Sequence, residues 1–513
     1  MKERIERLIE MTLNTCLPWI TEKDGKVIFT DPLDNEEISA HYGATHMAAA
    51  LLIYGRLKDR DDLVQKGEAL LNSILDRWDG SRQLPGFHND FNNFALCLIE
   101  NSIDVDMAAN TAGSAGNTLR ERIRKAVLET ADTRFDTVNW LPMRWFVNKC
   151  RYEWTNDETY KENCRLCKEK IDSATFTDGF IDDMLPKGRS FSLQYNVATV
   201  AFMQFLRISG ENIDLDIQTG ALLNAVCPDG DINYMGRGTN QIFAWGLWVY
   251  LLASSGQDEC DRALSYLEER LPAMLENKNI FLNTQPGDEK YLWWDYHYCS
   301  VYTAHLLLWL ILALRDQGAK SITPKTVTDG SSGFHIIRTE DAFVAVFDGR
   351  TEYLAERGPS VEAIWTRKYG TVFKGSFGPW YGEFGNLHIC PDAVIRKHFG
   401  LMNIKTDADK NTKNKVMKKL RLASQEDAAE EVKPVFAAPR VEIADKIRIT
   451  YQAEDIPVIV NIPDMNGIVT AFSGGQELKL TDALKIRDQY GWITVRQQIL
   501  RSGKTVEIEV PWE

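Results

Sequence analysis

The sequence predicts an α+β protein in two parts, an N-terminal (α/α) toroid of helical hairpins followed by a C-terminal antiparallel β-sandwich. Three observations predict it. A polar and aromatic cluster leads into an apolar helix six times over, helices with two kinds of apolar pattern alternate between those clusters, and short period-two strands replace helices beyond residue 333. At 513 residues the chain exceeds the size at which one hydrophobic core stops growing, so more than one packed unit is expected. Hydrophobic residues make up 44% and charged residues 26%, which is ordinary globular usage and excludes a disordered chain.

The six clusters fall at residues 38–46, 88–93, 139–144, 191–196, 238–243 and 295–298. Their steps of roughly 50 residues match the length of a helical hairpin. The helices they open, such as 241–253 and 301–314, are apolar nearly all round and must be buried. Between them lie one-faced, more charged helices at 61–78, 119–131, 157–171 and 258–275, which read as an outer layer. An open solenoid is the rival arrangement, but solenoid repeats share packing residues, whereas a polar and aromatic rim recurs here. Six inner helices presenting the same end to one central cleft is therefore the expected toroid, over residues 1–318.

Residues 319–333, rich in Gly, Ser, Thr and Pro, read as a linker. Alternating apolar runs at 334–339, 342–347, 394–399, 446–451, 458–462, 492–495 and 506–510 then predict the sandwich over residues 334–513. Residues 405–433 are charged without a period and read as an exposed loop or short surface helix.

A net charge of −14 excludes nucleic acid as the partner, because binding it needs a basic face. The start reads as an amphipathic helix and not as a signal peptide, and the apolar stretches fall short of the roughly 20 residues of a membrane span. Nine cysteines fit a reducing compartment, so the expectation is a cytoplasmic protein without membrane contact. Cys164 and Cys167 form a lone C-x-x-C that reads as two thiols on a helix. No H-E-x-x-H occurs, and His41 and His46 are one step off the i, i+4 spacing of paired ligands, so neither a metal nor another cofactor is expected. Oligomeric state leaves no mark in the sequence.

Three stretches, 137–144, 186–195 and 228–238, are similar to the heparinase II/III-like polysaccharide lyases, whose layout is an (α/α) toroid followed by a β-sandwich. The second is similar to that family's run of Gly and Ser before a catalytic Tyr. The resemblance implies a lyase acting on an anionic, uronate-containing oligosaccharide, with Asn139 neutralising the carboxylate and Tyr195 as catalytic acid and base. Such chemistry removes the proton α to a carboxylate, so the site must hold enolate-like charge and a group must take the proton. Arg144, Arg189 and Arg237 are the cations available to bind the substrate. Arg237 lies between Gly236 and Gly238, where a backbone can approach a ligand and Arg can grip a carboxylate with two hydrogen bonds.

Where several members of that family carry His after the Asn, this chain has Trp140. The base is then Tyr195 itself, or His88 or His297 from another hairpin. Trp140, Trp145, Tyr234, Trp245, Trp293, Trp294 and Tyr296 suit sugar stacking, and Asn240 completes the substrate-binding set. Each has a structural rival. Asn139 is also a favoured helix cap, Tyr195 and the other aromatics also suit a core, and a lone His88 or His297 more often packs. Two other functions stand beside the lyase. A glycoside hydrolase on the same toroid would use two carboxylates roughly 5 to 9.5 Å apart, drawn from Asp90, Asp183, Asp229, Asp231 and Asp295. A non-catalytic glycan-binding protein would tolerate loss of Tyr195 and Arg237.

Overall fold

The computed structural model describes residues 1–33, 35–39, 41–81, 88–102, 115–133, 137–188, 190–236, 238–283, 298–349, 360–374, 389–391, 439–452, 458–463, 467–478, 483–488, 490–500 and 503–512. Among these, twelve α-helices fill the N-terminal part: α1 Lys2–Cys16, α2 Gly43–Leu57, α3 Asp61–Ser81, α4 Asn89–Ser102, α5 Ala115–Glu129, α6 Leu141–Thr155, α7 Glu158–Ala174, α8 Leu193–Ile208, α9 Asp216–Ala225, α10 Phe243–Ser255, α11 Cys260–Glu276 and α12 Cys299–Arg315. A small hairpin, β1 Ile20–Lys23 and β2 Lys26–Phe29, follows α1.

Even and odd helices differ as their patterns demand. Every residue of α10 and all of α12 but Arg315 are buried. In α1 and α7 only one face is, through Ile5, Leu8, Ile9 and Leu13 and through Cys167, Ile171 and Ala174. The exposed side of α7 is laced with i, i+3 and i, i+4 ion pairs such as Arg165 to Glu162 and Lys168 to Asp172. The even helices touch in a closed cycle, α2 to α4, α6, α8, α10, α12 and back to α2, while each odd helix packs outside its even neighbours. This closed cycle is the arrangement expected of a toroid, and it differs from an open solenoid, whose ends never meet. Close approach in the wall needs small residues: a Cβ on Gly246 of α10 would sit 2.9 Å from the Leu306 carbonyl oxygen of α12.

The last helix ends at Arg315 and the next strand begins at Phe334. The intervening segment is an extended strap held by the helices. The Lys320 carbonyl accepts from Gln204 and Arg207, the Ile322 carbonyl accepts from Gln257, and the Lys325 amide donates to the Asp216 carbonyl. Gly220 of α9 lies so close beneath it that a Cβ there would stand 2.2 Å from the Lys325 carbonyl oxygen.

The remaining strands form three antiparallel sheets. The first runs β3 (Phe334–Arg338), β4 (Ala342–Phe347), β5 (Ser360–Thr366), β6 (Gly370–Lys374) in order. The third strand group includes β7 Ile389–Pro391, β10 Val458–Pro463, β13 Ala483–Asp488 and β14 Gly491–Leu500. The five-stranded sheet contains β8 Arg440–Ile443, β9 Lys446–Gln452, β11 Thr470–Ser473, β12 Gln476–Glu477 and β15 Thr505–Pro511. Strand β4 is buried on both faces. Its Phe343, Ala345 and Phe347 join the core of the helices, while Ala342, Val344 and Val346 join a second core with Ile447, Ile449, Val506, Ile508 and Val510. Period-two alternation thus divides one strand between two cores. The runs expected at 394–399 and 405–433 lie outside the described residues. No helix among the described residues is long and apolar enough to cross a membrane.

Gly220→Ala tests the strap. The added Cβ cannot coexist with the Lys325 carbonyl, so overpacking should cost about 1–3 kcal/mol, read as a lower melting temperature together with faster tryptic cleavage after Lys320 and Lys325. An unchanged cleavage rate would show that the strap is not held against α9.

Candidate active site

The first turns of the even helices meet at one end of the ring, and aromatic side chains from all six hairpins join there. The His41 ring lies 4.1 Å from His88 and 4.4 Å from Tyr298 between centroids, and Tyr42 stacks on Phe91 at 4.2 Å. Trp140 meets Phe91 edge-on at 5.7 Å and His88 at 5.9 Å. Phe243 touches Phe91, Tyr195, Tyr302 and, stacked at 4.4 Å, His305. The cap positions of these helices are spent on this purpose. Tyr42, Trp140, Ile242 and Tyr298 stand where Ser, Thr, Asp or Asn would ordinarily cap α2, α6, α10 and α12, and none makes a side-chain cap bond.

Asn139 is buried at the start of α6, and Asp183 holds it: its backbone N–H and its Nδ2 both donate to Asp183 Oδ1, at 3.2 and 2.6 Å. Capping of α6 is therefore not its role. Asn139 Oδ1 is buried with no hydrogen-bond partner among the described residues. The segment 138–140 packs against α8, whose first turn carries Tyr195, so both residues stand at the starts of neighbouring inner helices. The neighbouring Asp182 is structural, its carboxylate accepting from the amides of Met184, Gly188 and Ser190.

Arg144 does not stand free in the cleft as a substrate cation. It is buried and gives Nε and Nη2 to Asp90 Oδ2 at 3.3 and 2.9 Å. Burial pushes the Asp90 carboxyl up to about 6, against the pull of the Arg144 charge. His305, at the base of the aromatic layer, lies 5.3 Å from His46, and burial lowers His46 to about 3 and holds His305 far below its ordinary value. Both are neutral core imidazoles at physiological pH.

Two of the expected substrate-binding residues are packing residues instead. Tyr234 is fully buried, touches Phe334 and Phe343 of the first sheet, and donates its hydroxyl to the Ala225 carbonyl. Asn240, with φ of 61°, is buried and uses its Oδ1 to accept from the Asn283 backbone and side chain. Likewise Trp245 stacks flat on Tyr266 in the wall, and Trp145 lines a separate cavity of about 370 Å³ with Ile171, Phe176, Met203 and Ile213. Arg189, Arg237, His297, Trp294 and Tyr296 lie outside the described residues, as do Trp293 and Asp295.

Two of the five candidate hydrolase carboxylates, Asp229 and Asp231, are also occupied. Lys374 Nζ of β6 sits 2.5 Å from Asp229 Oδ2 and 2.9 Å from Asp231 Oδ2. Thr371 donates to Asp229 and Tyr490 to Asp231. Burial would raise Asp229, but the Lys374 ammonium brings it down to about 2. Sequence reasoning missed Lys374 entirely, and it missed Tyr42, Phe91 and His305 as members of the aromatic layer. Tyr42 and Phe91 fall inside the recognised clusters; His305 sits mid-helix and leaves no signal.

No family model matches the chain, and no curated protein matches it. Solved structures match more loosely. The α-1,6-mannanase GH76A from Salegentibacter sp. HEL1_6 is 14% identical, covering 61% of this chain and 99% of its own, with a TM-score of 0.42. An unsaturated glucuronyl hydrolase from Streptococcus agalactiae is 11% identical over 61% of this chain and 92% of its own, with a TM-score of 0.40. A polysaccharide lyase is 11% identical over 60% of this chain and 96% of its own, with a TM-score of 0.38. Superpositions this loose assign neither a family nor an activity.

Arg144→Met should leave Asp90 buried without its cation and cost about 3–5 kcal/mol at pH 7. A carboxyl whose folded pKa is raised above the unfolded value stabilises the fold only at low pH, and that stability is lost as pH rises through the folded pKa. The deficit of the variant relative to wild type should therefore shrink as pH falls from 8 to 5. A deficit independent of pH in melting curves would mean that lost packing, and not the stranded carboxylate, is the cause.

Proposed function

We propose that the chain is a carbohydrate-active enzyme that cleaves an anionic, uronate-containing oligosaccharide by β-elimination in the basin at the starts of the inner helices. The observation that carries this reading is the neighbourhood of Asn139 and Tyr195 at the same end of adjacent helices, beside an aromatic layer to which every hairpin contributes. Aromatic faces suit sugar rings. An amide nitrogen has two hydrogens, and Asp183 takes one from Asn139 Nδ2, which orients the other toward a ligand carboxylate. The positive ends of the converging helices offset the negative charge that Asp183 and the substrate bring together.

In this reading the base takes the proton α to the uronate carboxylate, the electron pair moves toward the carboxylate, and Asn139 stabilises that charge. The C4–O bond then breaks, a C4–C5 double bond forms, and the leaving oxygen takes a proton from Tyr195. His88, in contact with Trp140, is the described histidine best placed to assist as base. The route draws on side-chain acids and bases alone and calls for no cofactor. We read residues 1–318 as the toroid, 319–333 as the strap and 334–513 as the β-sandwich, a reading supported by the second core that β4 and β5 share with β9 and β15.

A hydrolase is the second reading, and one observation favours it. Burial pushes Asp90 up to about 6, which suits it to hold a proton as an acid, and Asp183, which accepts two N–H bonds from Asn139, is the second carboxyl of that reading. Incubation with uronate-containing oligosaccharides separates the two. The lyase yields a product absorbing in the ultraviolet, and Tyr195→Phe, which keeps the ring, should lower its formation by about 10²-fold or more without moving the melting temperature. Asn139→Ala should cost about 10² to 10³ in rate. Full activity in folded Tyr195→Phe, or new reducing ends without absorbance that vanish in Asp90→Asn, would replace the lyase with the hydrolase.

A further inference from the structure

The first sheet and Tyr490 do more than cover one side of the helical ring. Lys374 and Tyr490 converge on Asp231 Oδ2 at 2.9 and 2.8 Å, and Tyr490 also donates to the Asn233 carbonyl at 3.3 Å. Asp231 Oδ1 in turn accepts the Asn233 amide at 2.8 Å. Asn233 Nδ2 then donates to the carbonyls of Gly238 and Gln241 at 3.0 and 3.1 Å and faces Gln194 Oε1 at 3.3 Å. Gln194 directly precedes Tyr195 in the first turn of α8.

The described residues of 231–241 meet that turn at several points. The Leu193 amide donates to the Met235 carbonyl at 3.1 Å. Gly236 and Gly238 have φ of 89° and 81°, and a Cβ on them would stand 2.6 Å from the Phe191 carbonyl oxygen and 1.9 Å from Gln194 Nε2. Only glycine permits both the backbone conformation and the approach. The Lys374 side chain is largely buried; burial pulls its pKa down, but neighbouring negative charge, Asp231 first, holds it well above the ordinary value. Its Nζ bridges Asp229 and Asp231, which ties the start of the loop to β6.

We propose that Lys374 and Tyr490 are positioning residues for the candidate active site, fixing through Asp231 and the 231–241 loop the first turn of α8 that carries Tyr195. The inference rests on the reading of Tyr195 given above. Each link in this chain is a directed hydrogen bond between largely buried groups, so a displacement at Asp231 can reach the first turn of α8. A turn that relaxes by about 1 Å misplaces a proton donor enough to cost about 10²-fold in rate.

Tyr490→Phe removes one hydroxyl and leaves the ring. Lys374→Met combined with Asp229→Asn and Asp231→Asn removes the ionic contact without stranding a buried charge, so the fold should survive. Hydrogen exchange and turnover on uronate-containing oligosaccharides should be measured on both and on wild type. The expected result is exchange at least about tenfold faster at Leu193, Asn233 and Asn240, unchanged exchange in α2 and α4, and kcat lowered by about tenfold or more with KM within about twofold. If exchange rises at these amides while wild type itself forms no absorbing product, the clasp stands and the lyase reading falls. If wild type is active and both variants keep its kcat and the slow exchange of these amides, the positioning role is overturned and the lyase reading is untouched.

Discussion

The ring depends on its last joint, where α12 returns to α2. Asp31, just ahead of the second hairpin helix, accepts both the amide and the hydroxyl of Ser300 with one carboxylate oxygen, at 2.8 and 2.9 Å. Gly43 lets the two helices close, since a Cβ there would stand 3.0 Å from the Val301 Cα. This joint links residues 269 apart in sequence. It also decides where chemistry can occur. Once the sixth inner helix is bonded to the first, the first turns face one another, and the rings at three of the cap positions, Tyr42, Trp140 and Tyr298, join the aromatic layer. Without that closure the same six clusters would lie along the edge of an open array.

Closure also changes the meaning of the charges. For the anionic substrate proposed above, a chain of net charge −14 needs local compensation, and the sequence offers Arg144 as one source. Arg144 is spent inside, on Asp90, because a buried carboxylate without a cation costs several times what a surface pair contributes. The backbone N–H groups at the starts of α2, α6 and α12 are left without a side-chain acceptor from their aromatic cap residues, and the helix dipole makes those ends partly positive. Backbone donors are fixed in direction by the helix and need no reorganisation, which suits them to charge that develops during a reaction.

What could be read from the sequence follows from which constraints are local. The alternation of all-apolar and one-faced helices is a property of each segment alone, so the inner and outer layers were legible, as were the first five rim clusters; of the sixth, 295–298, only Tyr298 is among the described residues. Pairing between distant charges is not local. Asp229 and Asp231 sit in Pro228-Asp229-Gly230-Asp231, a turn-like context that explains their backbone bonds to the amides of Asp231 and Asn233, but nothing nearby announces Lys374. Tyr234 has the composition of a sugar-binding aromatic and the surroundings of a core residue, and only the arrival of Phe334 and Phe343 from another part of the chain decides between them. The segment 319–333 has linker composition, yet its carbonyls are claimed by side chains of Gln204 and Arg207 from α8 and of Gln257 just beyond α10.

The strap and the doubly buried strand together bear on how the two parts of the chain behave. A sheet with one wet face could leave the helices at little cost, but β4 gives alternate side chains to each core, so separating the first sheet from the ring would expose Phe334, Phe343 and Phe347 at once. At about 25 cal/mol per Å² of apolar area, three phenylalanines of this kind hold several kcal/mol, more than a loop of exposed ion pairs could return. The strap leaves no length of free chain to act as a hinge, since it is bonded to α8, α9 and α10 along its course. Ring, strap and first sheet are therefore one cooperative unit. In such a unit a buried ammonium on β6 and the first turn of α8 share a single equilibrium position, which is why a residue of a sheet can govern the geometry of a site built from helices.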